Sequence, residues 1–249
     1  MPTPFTHLRI THRLLNDPEI PDSAHKLLNL YSADFYLGGV VADARPEGSR
    51  RADTHFYDYT EPMPDKLWRE MFRHHPSLRQ TQTEAHQVFL MAYVAHLASD
   101  EYWSLHLLKP HIAEANWDKD VYERFKSLHL LLIHMDERDE KWLPAFIPSS
   151  LRRSSPKSWL PFINDTVICQ WRDFIADQLA TGVSQTLQIF GSRIHTPPKD
   201  IRAMLNNNAV MQQRLWNHLA PSLIAEIEEQ MYQFSQQQML IYLNEFFSY

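Results

Sequence analysis

One cysteine, Cys169, stands among 249 residues, which excludes an intramolecular disulfide and any cysteine-based zinc finger. A metal bound by this chain therefore takes nitrogen and oxygen ligands. Glycine is scarce too. Its 5 residues fall well below the roughly 7% of an ordinary globular chain and argue against glycine-rich phosphate loops and turn-rich β folds. The longest apolar stretch, around Val88, is too short to span a bilayer and is interrupted by His96. No apolar signal region follows Met1, and a cytoplasmic location is the resulting expectation. Basic charge is not in excess. A net charge of −6 gives no general pull toward nucleic acid or anionic lipid, and no basic stripe interleaved with aromatics occurs.

What is present points to helices. Hydrophobic residues make up 44% of the chain, enough for a substantial core, and 16 prolines punctuate it. Leucine and alanine recur at helical spacing, and no alternating apolar segment of a strand is found. The expected fold is all-α, a single-domain multi-helix bundle over residues 1–249. Helical patterns cover 8–16, 23–31, 64–74, 81–109, 118–139, 161–180, 184–191, 198–206, 210–218 and 221–247. Pro110 is expected to close the long central helix, and the Pro- and Ser-rich stretch 144–161 reads as a surface loop. Val121, Phe125, Leu128, Leu132 and Met135 form one stripe on the following helix. The terminal residues from Phe246 to Tyr249 are expected to pack on the chain itself.

Chemistry concentrates in the first 110 residues. His96-Leu-Ala-Ser-Asp100 sets an imidazole and a carboxylate one turn apart inside a helix that is apolar on all sides. A buried carboxylate needs a partner. Hydrogen bonding between the two side chains and shared ligation of a metal both satisfy that need. Three upstream segments bear on the choice: His7 in Pro4-Phe-Thr-His, Asp43 ending Leu37-Gly-Gly-Val-Val-Ala-Asp, and His55 in Thr54-His-Phe56.

This ordered set, His7, Asp43 in a Leu-Gly-x-x-x-x-Asp context, His55 in Thr-His-Phe and His96-x-x-x-Asp100, resembles the zinc-dependent bacterial phospholipase C family. That family is all-helical, carries a cluster of three zinc ions and is related in fold to single-strand-specific zinc nucleases. The resemblance implies that Asp43, His55, His96 and Asp100 complete one zinc site, with Asp100 bridging to a second ion held partly by His7. It implies one to three zinc ions, two being expected. Secreted members of the family begin with a metal-binding tryptophan, whereas this chain begins Met1-Pro2-Thr3 and has no tryptophan before Trp68. A third site would use His106, but its usual His-x-x-x-Glu partner is missing, since Ile133 follows His129 and Arg138 follows His134 at that spacing.

The implied activity is zinc-dependent hydrolysis of a phosphoric ester, lipid or soluble, because zinc makes hydroxide available at neutral pH. Asp43 is the candidate catalytic residue, ligand and proton acceptor at once. Arg45 and Arg51 suit a phosphate through paired hydrogen bonds, while Asp34 and Asp58 are candidate acceptors that orient imidazoles. A nuclease of the same fold and a metal-stabilised binding or scaffold protein without catalysis are the alternatives. His74-His75, His12, His25, His111, His195 and His218 read as caps or surface residues.

Overall fold

A helix that is apolar around its whole circumference has to sit at the centre of its fold, and α6 (Glu84–Trp103) does so. The computed structural model describes residues 2–46, 48–58, 62–182 and 184–246, and all regular structure in them is helical. Around α6 lie α1 (Pro4–Leu15), α2 (Asp22–Leu30), α3 (Ser32–Gly38), α5 (Leu67–His74) and α13 (Pro221–Phe246). The short α4 (Ala52–His55) follows a 3-10 turn at Val41–Asp43. An outer layer holds α7 (Val121–Trp142), α8 (Ile147–Arg153), α9 (Asp165–Thr181), α10 (Thr186–Arg193), α11 (Pro198–Leu205) and α12 (Asn208–Met211). Among the described residues no helix is long and apolar enough to cross a membrane.

Thr83 starts α6 by accepting a hydrogen bond from the His86 N–H at 3.1 Å, a side-chain cap. Two glycines set how closely its neighbours approach. A Cβ on Gly38 would lie 2.1 Å from the Phe89 carbonyl oxygen, and one on Gly39 would lie 2.1 Å from Thr11 Oγ1. Only hydrogen fits at either place, so the end of α3 is pressed against α6 and α1 together.

The structure revises four sequence expectations. Pro110 does not end the central helix: a π-helical stretch, Ser104–Ala113, runs through it. The wider turn eases the clash between the proline ring and the preceding turn. Its last carbonyls are then taken up by side chains, Ile112 O by Arg124 Nε at 2.7 Å and His111 O by Trp117 Nε1 at 2.9 Å. The stretch 144–161 is not a plain surface loop, because it contains α8, whose Ile147 and Leu151 are fully buried. Val121 leaves its expected stripe and is 47% exposed at the first turn of α7. His7 lies inside α1 instead of ahead of it. Residues 247–249, part of the expected terminal packing, lie outside the described residues.

Candidate metal centre

Four elements bring five side chains to one point. His7 comes from α1, Asp43 from the 3-10 turn after α3, His55 from the end of α4, and His96 with Asp100 from successive turns of α6. Asp100 is the hub. Its Oδ1 lies 3.4 Å from His7 Nε2, and its Oδ2 lies 3.2 Å from His55 Nε2 and 3.6 Å from His96 Nε2. His55 Nε2 also stands 3.5 Å from Asp43 Oδ1. The rings of His7 and His96 stack with centroids 3.8 Å apart. His7, His55, His96 and Asp100 are at most 2% exposed, whereas the Asp43 side chain is 24% exposed and forms the outlet of the cluster.

The orientation of each imidazole follows from what its other nitrogen meets. His96 Nδ1 lies 2.8 Å from the Gly39 carbonyl, which only accepts, so Nδ1 carries the proton. Ser99 Oγ donates to the His96 carbonyl at 2.7 Å and is thereby left to accept from His7 Nδ1 at 3.1 Å. Thr54 Oγ1 donates to the Arg51 carbonyl and accepts from His55 Nδ1 at 2.9 Å. The Tyr93 hydroxyl secures this turn by donating to the Thr54 carbonyl at 2.8 Å. With all three Nδ1 atoms protonated and the rings neutral, three Nε2 lone pairs and two carboxylates face one another, and the Arg51 guanidinium, donating to Asp100 Oδ2 at 2.7 Å, is the one donor among them. His55 Nε2, His96 Nε2 and Asp100 Oδ1 are buried with no hydrogen-bond partner. Acceptors cannot satisfy acceptors, and a cation in their midst can.

The electrostatics agree. Burial raises Asp100, but Arg51 and the three imidazoles outweigh it and hold the carboxyl well below the usual range. Burial likewise acts against ionisation of Asp43, and His55, His96 and His7 reverse it. Burial and then His96 push the His7 imidazole down to about 4. Burial also opposes a charge on His96, yet Asp100 and Asp43 prevail and leave it raised. A proton on His96 and a bound metal are thus alternative answers to the same two carboxylates.

The donors, imidazole nitrogens and carboxylate oxygens, are of the hard and borderline types that hold divalent metal ions. His7, Asp43 and His96 each place a ligand atom within 4.8 Å of the others, and so do His55, His96 and Asp100. His96 belongs to both triads but has one free nitrogen, so it serves one ion at a time. Asp100 has an oxygen facing each side.

Asp43 and His55 open into a cavity of about 1100 Å³. Arg45, Arg51 and Arg193 line it near the cluster, and Leu108, Leu128, Leu132, Phe174 and Phe190 make apolar walls. Trp171 lines it too and ties α9 to the Asp43 turn through a 2.9 Å hydrogen bond from Nε1 to the Val40 carbonyl.

Several sequence candidates lie elsewhere. His106 is exposed and stacked on Tyr102, and His134 is exposed against Trp216. His129 lines the cavity but is bound through Nδ1 to the Phe125 carbonyl at 2.6 Å. None of these three joins either triad. Asp34 accepts from Ser154, and the Nδ1 atoms of His96, His7 and His55 are held by Gly39, Ser99 and Thr54 in place of Asp34 or Asp58. Sequence reading missed those three and Arg193; for Ser99 the one signal was its place beside Asp100 in the helix. No protein-family model, no curated protein and no solved structure matches the chain.

Proposed function

We propose that this protein is a zinc-dependent hydrolase of phosphoric esters, and that its substrate carries a sizeable apolar group, as a phospholipid does. The observation that carries the proposal is the acceptor-rich cluster opening, through Asp43, into a cavity lined by both guanidiniums and apolar side chains. His7, Asp43, His55, His96 and Asp100 would hold the metal, with two ions expected when Asp100 bridges. A zinc ion there supplies Lewis acidity that withdraws charge from phosphoryl oxygens and acidifies water at neutral pH.

The chain's own groups account for the rest. Asp43, the most exposed of the five, takes the proton of the attacking water. As the new P–O bond forms and the ester P–O bond breaks, that proton leaves with the departing alcohol. Arg45 and Arg51 hold the phosphoryl oxygens through paired hydrogen bonds. The walls around Leu128 and Phe174 receive the apolar part of the ester and keep bulk water away.

The burial of four of the five residues also favours a second reading, a metal-stabilised binding protein without catalysis. One experiment separates the two. Hydrolysis of a chromogenic phosphodiester is expected to stop on chelation, return with zinc, and fall by about two orders of magnitude or more in Asp100→Ala. His218→Ala, stacked on Trp117 away from the cavity, is expected to leave the rate unchanged. Zinc bound by the parent with no ester hydrolysed would decide for the second reading.

A further inference from the structure

Arg51 stands where a cation belongs. It precedes α4 in helical conformation, with φ −58° and ψ −41°, four residues before His55, so both side chains leave the same face. Its guanidinium lies 2.7 Å from Asp100 Oδ2. This is the same oxygen that His55 Nε2 and His96 Nε2 face at 3.2 and 3.6 Å, and hence the one that the His55–His96–Asp100 triad offers to a metal. The Arg51 side chain is 19% exposed and also lines the cavity beside Arg45. A guanidinium and a divalent ion cannot share one carboxylate oxygen at close range without strong repulsion.

We infer that Arg51 is a resident cation which metal displaces: it neutralises Asp100 in the metal-free chain, and metal binding drives it from Oδ2 into the cavity to grip a phosphoryl group. The inference rests on the metal-centre reading above. It makes phosphate binding stronger with metal than without, since a guanidinium held on Asp100 has its charge compensated there and fewer of its five N–H donors to offer a phosphate. It also makes Arg51 a competitor of the metal, so that its removal tightens metal binding even though it weakens phosphate binding. A residue with only a structural role would produce no such opposed pair of effects.

The test uses zinc alone and then inorganic phosphate, each titrated calorimetrically into the full chain stripped of metal. Arg51→Gln is expected to bind zinc about tenfold more tightly than the parent, because no guanidinium has to be expelled. Arg45→Gln removes the same charge from the cavity without touching Asp100, and its zinc affinity is expected to stay within about threefold of the parent. Arg51→Lys keeps a cation but loses the planar fork, and is expected to fall between parent and Arg51→Gln. It alone decides the matter if Arg51→Gln does not fold without metal. In the second titration, phosphate is expected to bind the zinc-loaded parent more tightly than the metal-free parent, and to bind zinc-loaded Arg51→Gln about tenfold more weakly than the zinc-loaded parent. Zinc affinity unchanged or weakened in the Arg51 variants, an equal gain in Arg45→Gln, or phosphate binding indifferent to zinc would each overturn the inference. Absence of zinc binding in the parent would instead overturn the metal-centre reading on which it depends.

Discussion

Two polar clusters share helix α1, and they differ in how their charges balance. On one side of α1, Thr6 and Arg9 meet Arg138, Asp139 and Glu228 from α7 and α13. Arg9 reaches Glu228 at 2.5 Å and Asp139 at 3.2 Å, Arg138 grips Glu228 with two nitrogens at 2.9 and 2.5 Å, and Thr6 donates to Asp139 at 2.7 Å. Two guanidiniums face two carboxylates, so the charges balance, and Arg9 Nε is the one nitrogen of the two guanidiniums left buried without a hydrogen bond. On the other side, His7 enters a cluster of three imidazoles and two carboxylates with Arg51 as its one guanidinium. The balanced set behaves as a clasp that fixes α1. The unbalanced set leaves buried acceptors without donors, which is the mark of a site built around something else.

This contrast is sharpened by removing a carboxylate from each. Asp139→Ala leaves two guanidiniums, each about a third exposed, sharing Glu228, and is expected to cost about 1–3 kcal/mol in chemical denaturation. Its zinc stoichiometry is expected to equal that of the parent, whereas Asp100→Ala is expected to lose zinc. A loss of zinc in both variants would mean that the clasp and the cluster are one cooperative unit.

A smaller effect is expected from Ser99→Ala. Without the hydroxyl that holds its Nδ1, His7 is free to turn, and zinc affinity is expected to fall by about tenfold to a hundredfold with little change in unfolding midpoint. Titration of metal-stripped protein measures it. Unchanged affinity would place His7 outside the metal's ligand set and leave the site to Asp43, His55, His96 and Asp100.

Much of the fold was legible because it rests on local pattern. The apolar circumference of residues 88–98 marked the central helix, and the 3.6-residue rhythm marked most of the others. The i, i+4 spacing of His96 and Asp100 placed both on one face, and the resemblance added His7, Asp43 and His55, which the structure brings to the same point across 93 positions of chain. What failed to show depends on tertiary partners. Nothing in 144–161 signals that Ile147 and Leu151 are buried against neighbouring helices. Pro110 was read by its usual effect, but a widened turn and the carbonyl contacts of Arg124 and Trp117 carry the helix past it. The Gly39 carbonyl reaches His96 only because two glycines admit α3 so close to α6, and a sequence shows glycines without showing what they approach. The Thr6–Arg9–Arg138–Asp139–Glu228 clasp joins three helices and has no local signature at all.

Whether this acceptor-rich cluster holds metal is read out by anomalous diffraction at the zinc edge from crystals grown with zinc. A peak is expected among His55, His96, Asp43 and Asp100, at about 2.0 to 2.2 Å from the Nε2 atoms and carboxylate oxygens, and a second near His7 if Asp100 bridges. A well-ordered cluster without a peak, its imidazoles and carboxylates joined by protons alone, would contradict the metal-centre reading.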